Sequence, residues 1–428
     1  MRSPRAATPP VLAIVDGYST GRLLPGRMRD RGFACVHVRS KPEMPAYFSS
    51  GFQAADYLDD LTGEDLPRLL KELTSAGISQ VVAGTESGVL LADSLAGALG
   101  LPGNRPDQAL ARRDKSLMAA AAAAAGLAVP RGGRFTSAAD ALAWCRSGGL
   151  SRVVVKPVDS AGTDNVWFCD STGAIRRACE LVLASANLYG DQNTAVIVQE
   201  RVEGTEFYVN TVSHGGLHRV AEMWRYTKAG GAAASPVYDF EEPVGMRSPQ
   251  ARTLRAFVFA VLDALGVHTS AAHTEVMLTG SGPVLIECGA RLSGATAPDV
   301  VARYSGVSQL DLLADALASP GRLVGFDDLA VTWSARVRNV EFRNMVAGQV
   351  TSMDWVAAIR DLPTVVAVLP AVGPGAALPV TRDLIDSPGY AYLAGTTSAD
   401  VQRDYQRLRA MEQDGLYTCG PRGKGVQP

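Results

Sequence analysis

His273-Thr-Glu-Val-Met-Leu-Thr-Gly-Ser-Gly-Pro-Val-Leu-Ile-Glu-Cys-Gly-Ala-Arg291 is the stretch on which the fold turns. Gly280-Ser-Gly-Pro283 is turn chemistry between two strand-like runs, which predicts a β-hairpin. With the turn centred on Ser281, Glu275 and Glu287 are each six residues away and stand opposite one another. Opposed residues of an antiparallel pair hold their Cβ atoms ~4.5–5.5 Å apart on one face. The strand period of two adds His273 and Leu285 to that face. It sends Val276, Leu278, Val284 and Ile286 to the other, the expected core side. Two like charges directly opposed are destabilising, so something should compensate them. Hard oxygen ligands without a thiolate point to Mg²⁺, which is held by one or two carboxylates plus substrate phosphates. The plain alternative is an exposed hairpin with solvated glutamates.

Working outward, the run Arg152-Val-Val-Val-Lys-Pro157 brings Lys156 to the end of a buried strand. There it can present a point charge to phosphate, or simply guard a strand edge. Asp159-Ser-Ala-Gly-Thr-Asp-Asn165 follows, small and polar enough to fold over phosphates with its backbone N–H groups. Val196-Ile-Val-Gln-Glu-Arg-Val-Glu-Gly204 is an apolar strand entering a turn flanked by Glu200 and Glu206. Either carboxylate can accept hydrogen bonds from an amino group or a ribose, or lie solvated. Lys115, behind Arg112-Arg-Asp114, reads by itself as a surface lysine at the start of an Ala-rich helix.

In order, these pieces resemble the ATP-grasp superfamily. Lys115, Lys156-Pro157, the glycine-containing loop, Gln199-Glu-x-Val-x-Gly204 and Glu275…Glu287-x-x-x-Arg291 carry the resemblance over about residues 110 to 310. His273-Thr-Glu275 and Ile286-Glu-Cys-Gly-Ala-Arg291 look like the bacterial L-amino-acid ligases, which make dipeptides and peptide antibiotics. Many ATP-grasp enzymes carry Asn two places after the second acidic residue, where this chain has Gly289. The resemblance implies an ATP-grasp fold, α/β and α+β. Its parts are a Rossmann-like N-terminal α/β domain (1–110), an ATP-grasp domain (111–330) with a lid subdomain at about 127–204, and a C-terminal α+β lobe (331–428). It implies that Lys115 and Lys156 hold the α- and β-phosphates and that Ser160, Gly162 and Thr163 form the lid loop. Gln199 would bind the nucleotide, Glu200 and the backbone of Val202 would meet adenine, and Glu206 the ribose. Glu275 and Glu287 would bind two Mg²⁺ ions, with Mn²⁺ an alternative. Arg291 would stabilise the transferring phosphoryl group and the tetrahedral intermediate. His273 would lie beside the acyl or amine substrate. Glu86, in the loop Gly84-Thr-Glu-Ser-Gly88, would reach the substrate or serve equally as a cap or a surface carboxylate, and Ser293 and Gly294 would meet the substrate. The small run Ser293-Gly-Ala-Thr-Ala297 suggests a pocket that is not plugged there.

The implied reaction is carboxylate–amine ligation. ATP phosphorylates a carboxylate, and an amine displaces phosphate from the acyl phosphate. Small-molecule carboxylate and amine substrates go with it; the oligomeric state is open, a homodimer being the commonest assembly. The alternatives are a carboxylase or nucleotide-pathway ligase with a non-amino-acid acceptor, and a non-catalytic ATP-binding protein. A nicotinamide enzyme is disfavoured because Asp16-Gly-Tyr-Ser-Thr-Gly21 lacks the GxGxxG spacing.

The rest of the chain is consistent with this. Strands at Val11–Val15, Phe33–Val38 and Ser79–Ala83 alternate with helices at Arg22–Arg31, Leu66–Ala76 and Val89–Leu99, which indicates a parallel α/β layer. Long strands are expected at Glu206–Val212 and Leu217–Tyr226, a loop over 226–250, and a helix from about Pro249 to Leu265. With 41 Lys+Arg against 43 Asp+Glu, the net charge of −2 gives no support to a nucleic-acid partner. At 47% apolar and 20% charged residues the 428-residue chain is globular. Six scattered cysteines, Cys35, Cys145, Cys169, Cys179, Cys288 and Cys419, form no CxxC pair, which suggests a reducing cytoplasm. The Ala-rich run Leu117–Val129 is too short to span a bilayer, and Arg2 and Arg5 precede no signal-peptide core, so no membrane role is expected.

Overall fold

A computed structural model describes residues 9–229 and 237–418. Arg2, Arg5, Cys419 and the centre of the expected 226–250 loop lie outside the described residues. The first sheet is parallel, in the spatial order Asp60–Thr62, Ala34–Arg39, Val11–Val15, Ile78–Ala83. The Val11–Val15 strand is apolar throughout and buried along its length, as a strand covered on both faces should be. Its C-terminal end, and that of Ile78–Ala83, lead into the loops holding Asp16 and Glu86.

A four-stranded antiparallel sheet forms the second layer: Gly132–Phe135, Val196–Glu200, Val153–Pro157, Trp167–Cys169. Alternation explains its two faces. Val153, Val155, Val196 and Val198 are buried against the helices Ala138–Ser147 and Thr172–Ala184. Val154, Lys156 and Gln199 line a cleft instead. Both helices start on serine caps: Ser137 accepts from the Asp140 N–H and Ser171 from the Ala174 N–H.

The third sheet has eight antiparallel strands, and it carries the hairpin at one edge. The order is Gly282–Gly289, Ser270–Thr279, Thr205–His214, Leu217–Ala229, Val237–Pro243, Arg336–Glu341, Gly389–Gly395, Val365–Pro370. Strands from the last hundred residues thus extend the central sheet. The expected loop over 226–250 is largely strand: Leu217–Ala229 pairs with Val237–Pro243, Tyr226 opposite Glu241. Pairing of this kind depends on distant neighbours that a local reading does not contain.

The hairpin departs from expectation in one detail. Thr279 pairs with Gly282 and Val276 with Leu285, so the turn is one residue tighter than a centre at Ser281 requires. A bulge then restores Glu275 opposite Glu287. The bulge exchanges two expected positions. Leu285 packs in the core beside Val276, whereas Ile286 joins Glu275 and Glu287 in the cleft wall.

Candidate active site

Two adjoining clefts meet over the hairpin. The first lies between the lid sheet and the central sheet. It is lined by Lys115, Lys156, Ser160, Gly162, Thr163, Gln199, Glu200, Val202, Glu206, Glu275 and Glu287, every residue expected to bind nucleotide or metal. The second is lined by Glu86, His273, Arg291, Ser293 and Gly294, the residues expected to meet substrate. Glu275, Glu287 and Gly162 line both clefts, so the carboxylate pair stands at their junction.

Asp114 caps the helix Lys115–Ala124, accepting from the Ser116 and Leu117 N–H groups, and so sets Lys115 on the first turn. The Lys115 ammonium lies 3.0 Å from Glu287 Oε1 and donates to the Ser160 carbonyl at 2.6 Å. Lys156 is 6% exposed and has no ion pair among the described residues. Burial presses its ammonium toward the neutral form, and Glu287 opposes this. A buried cation with no direct partner, beside two opposed carboxylates, is the arrangement a polyphosphate with its metal completes. No group of three or more His, Cys, Asp or Glu is gathered to hold a metal among the described residues. Two opposed carboxylates, with further positions open to phosphate and water, are a donor set that fits Mg²⁺.

Burial works against the charged form of Glu275. The His273 ring, with Nε2 3.5 Å from Oε1, outweighs it together with Lys228 and Lys156, and the carboxyl is held down to about 2. The Tyr226 hydroxyl donates to the same oxygen at 3.2 Å. His273 Nδ1 lies 2.8 Å from Asn210 Oδ1, an acceptor only, so Nδ1 carries the hydrogen. Asn210 in turn donates to Glu222.

Three expected residues have their side chains otherwise engaged. Glu200 accepts from the Arg131 N–H at 2.9 Å and from Arg131 Nε at 2.7 Å. Glu206 pairs with Lys228 at 2.7 Å. Glu86 is buried between two arginines, Arg291 Nε at 2.9 Å and Arg113 Nη1 at 3.0 Å. Burial alone would raise its pKa, but the arginines lower it. Gly289 has its explanation here: a Cβ on it would collide with the Glu86 carboxylate and crowd the Arg291 guanidinium.

The lid loop is tied down on both sides. Ser160 Oγ donates to Asp164 at 2.6 Å, Arg113 pairs with Asp159, and Asn187 Nδ2 donates to the Asp159 carbonyl at 2.9 Å. On the other side the Leu384 N–H donates to Thr163 Oγ1. The sequence reading did not identify Lys228, Tyr238, Met277 and Ile286 in the first cleft, nor Tyr189, Tyr208, Glu241 and Glu341 in the second. Lys228 had a signal, a cation ending a β-branched and aromatic run like the one at Lys156. The other cleft residues come together only through sheet pairing and the bulge.

Fold and site together define an ATP-grasp enzyme. No family model matches the chain. Dapdiamide A synthase of Enterobacter agglomerans is 30% identical over 96% of this chain and 97% of its own. L-Amino acid ligase from Bacillus licheniformis shares the fold at TM-score 0.73 and 18% identity, over 95% of this chain and 98% of its own. So does the biotin carboxylase domain of Hydrogenobacter thermophilus 2-oxoglutarate carboxylase with MgADP, at TM-score 0.63 and 12% identity, over 96% of each chain. The chain belongs to the family of ATP-grasp carboxylate–amine ligases, which form C–N bonds at the expense of ATP. ATP and a divalent metal serve the reaction. No helix among the described residues is long and apolar enough to cross a membrane.

Proposed function

We propose that the chain joins an amino acid or related small carboxylic acid to an amine or a second amino acid, in the making of a dipeptide or peptide-like natural product. The acid is activated as an acyl phosphate, and ADP and phosphate are released. The observation that carries this reading is the opposed pair Glu275 and Glu287, which lines both clefts beside Lys115 and the buried Lys156. In this reading Lys115 and Lys156 hold the α- and β-phosphates, and Ser160, Gly162 and Thr163 close over them. Gln199, the backbone of Glu200 and Val202 receive adenine, and the Glu206–Lys228 pair receives the ribose. Glu275 and Glu287 hold two Mg²⁺ ions, for which Mn²⁺ can substitute. The ions neutralise charge on the transferring phosphoryl group.

Arg291 faces the second cleft from the far side of the glutamates. Its guanidinium is aimed by Glu86, so its donors are in place before the oxyanion forms. Glu86 is therefore a positioning residue, and substrate meets Arg291, His273, Ser293 and Gly294. The lid loop excludes water from the acyl phosphate. Segments 1–110, 111–330 and 331–428 supply the substrate-side loop, the nucleotide clamp and the closing wall respectively. The cytoplasm is the proposed compartment, supported by the five free, buried thiols among the described residues. A homodimer is the proposed assembly, which sedimentation of the purified chain checks.

One experiment tests the reading. Purified protein is incubated with MgATP and amino acids singly and in pairs, and phosphate and coupled product are measured. Phosphate release that requires an amino acid, with a dipeptide as product, supports it. Turnover only with bicarbonate or a sugar amine would replace it with the carboxylase or nucleotide-pathway reading.

A further inference from the structure

The second cleft contains a charge centre that the ligation chemistry does not use. Glu241 and Glu341 both line it, at 8% and 5% exposure. They sit on neighbouring strands, where Glu241 pairs with Asn339 two residues before Glu341. Two strands, Thr205–His214 and Leu217–Ala229, separate the Glu241 strand from that of Glu275. At the usual strand spacing the two backbones lie about 14 Å apart, and the side chains close much of that span: Tyr208, opposite Glu275, donates to Glu241, and the Glu275 charge acts on Glu241.

Neither carboxylate has an ion pair among the described residues. Glu241 Oε2 accepts from the Tyr208 hydroxyl at 2.7 Å and from Asn339 Nδ2 at 3.2 Å, and Oε1 has no hydrogen bond among the described residues. Ser387 is the polar neighbour of the Glu341 carboxylate, and Arg409 the cation that acts on it. The Arg409 guanidinium is already bound to Asp239, Glu412 and the Glu341 backbone carbonyl. Burial accordingly pushes Glu241 up to about 7 and Glu341 well above the carboxylate range. Two buried carboxylates without an ion pair are costly, and an arriving ammonium removes that cost. Tyr47, Tyr208 and Tyr226 line the same cleft and offer aromatic rings to a cation. Elsewhere in the cleft the Tyr189 hydroxyl, in a side chain 4% exposed, also lacks a hydrogen-bond partner. The cleft therefore presents buried polar groups that the described residues leave unmet.

We propose that Glu241 and Glu341 bind a protonated amine at the distal end of the carboxylate substrate, so that the enzyme selects a diamino acid or a comparably amine-terminated acid. The proposal rests on the ligase reading above. An α-ammonium cannot fill this role, because it is one carbon from the reacting carboxylate and stays beside Arg291 and the metal pair. An amine several bonds away can reach the second acidic centre while its carboxylate remains at the first.

The test compares acids of equal length with and without the distal amine: L-ornithine against L-norvaline, and L-lysine against L-norleucine. Hydroxylamine serves as the common acceptor, and hydroxamate and ADP are read together. The expected result is a kcat/KM at least about tenfold higher for the diamino acid. Glu341→Gln should cut that ratio at least about tenfold, raising KM for L-ornithine and lowering it for L-norvaline, while Glu341→Asp restores part of it. Melting temperature reports folding, and if Glu341→Gln does not fold, Glu241→Gln carries the same expectation. Equal use of both acids, or an equal effect of the variant on both, overturns the proposal. If no acid turns over, the ligase reading fails, and calorimetric titration of L-ornithine and L-norvaline with MgADP present decides the inference by itself. Preferential L-ornithine binding that Glu341→Gln abolishes upholds it, and its absence overturns it.

Discussion

Arg291 shows how far one side chain can be read from sequence. Its place four residues after Glu287 was legible, but the reason it points correctly was not. Glu86, which aims it, lies in another layer of the molecule, and nothing local in Gly84-Thr-Glu-Ser-Gly88 separates a buried clamp from a surface carboxylate. Gly289 was visible as a departure from the Asn many relatives of this fold carry. Its cause is that same carboxylate, which occupies the space a side chain would need. Two predictions belong at this scale. Arg291→Ala should retain ATP binding, read by calorimetry, and lose about 10²–10³ in ligation rate, the usual cost of one oxyanion donor. Gly289→Asn should displace Glu86 and loosen Arg291, lowering kcat more than it raises KM for ATP. Full kcat in the Asn variant would remove Glu86 from its positioning role.

The hairpin gave the correct opposition of Glu275 and Glu287 with an incorrect turn. Equal counting from Ser281 and a tighter turn plus one bulge lead to the same pair, so acidic spacing alone could not distinguish them. They differ in which neighbour faces the core. Leu285→Ala should therefore cost about 2–5 kcal/mol in chemical denaturation, as truncation of a buried leucine does, with KM for ATP little changed. Ile286→Ala should do the reverse. Loss of its apolar contact in the nucleotide cleft, about 1.4 kcal/mol, raises KM for ATP roughly tenfold with near-normal stability. A regular hairpin without the bulge would exchange these two outcomes. The strands beyond Tyr226 were less legible, because Val237–Pro243 pairs on one side with residues about a hundred positions later, and that strand in turn with residues some fifty positions further on.

Across the whole molecule, Arg112 is the tie between the first layer and the central one. It is fully buried, donates twice to Asp93 of the helix Val89–Leu99, and donates to the carbonyls of Leu265 and Gly266 beyond the helix Pro249–Ala264. Arg112→Met leaves Asp93 buried without its cation, and about 3–5 kcal/mol of stability should be lost. Urea unfolding of the variant measures this. The thiols give a second check at this scale. Burial lifts Cys35, Cys179 and Cys288 to about 12, so their thiolate fraction is negligible at pH 8 and grows only as pH rises toward that value. These three should resist iodoacetamide in the folded protein and react on unfolding, as mass spectrometry of the digests would show. The eight-stranded sheet has one more consequence. It runs unbroken from the glutamate pair at one edge through the strands carrying Glu241 and Glu341. The proposed phosphoryl chemistry and the proposed recognition of the incoming molecule are thus mounted on separate strands of one sheet. A lineage can exchange residues on the far strands and change its product while the reaction itself is inherited intact.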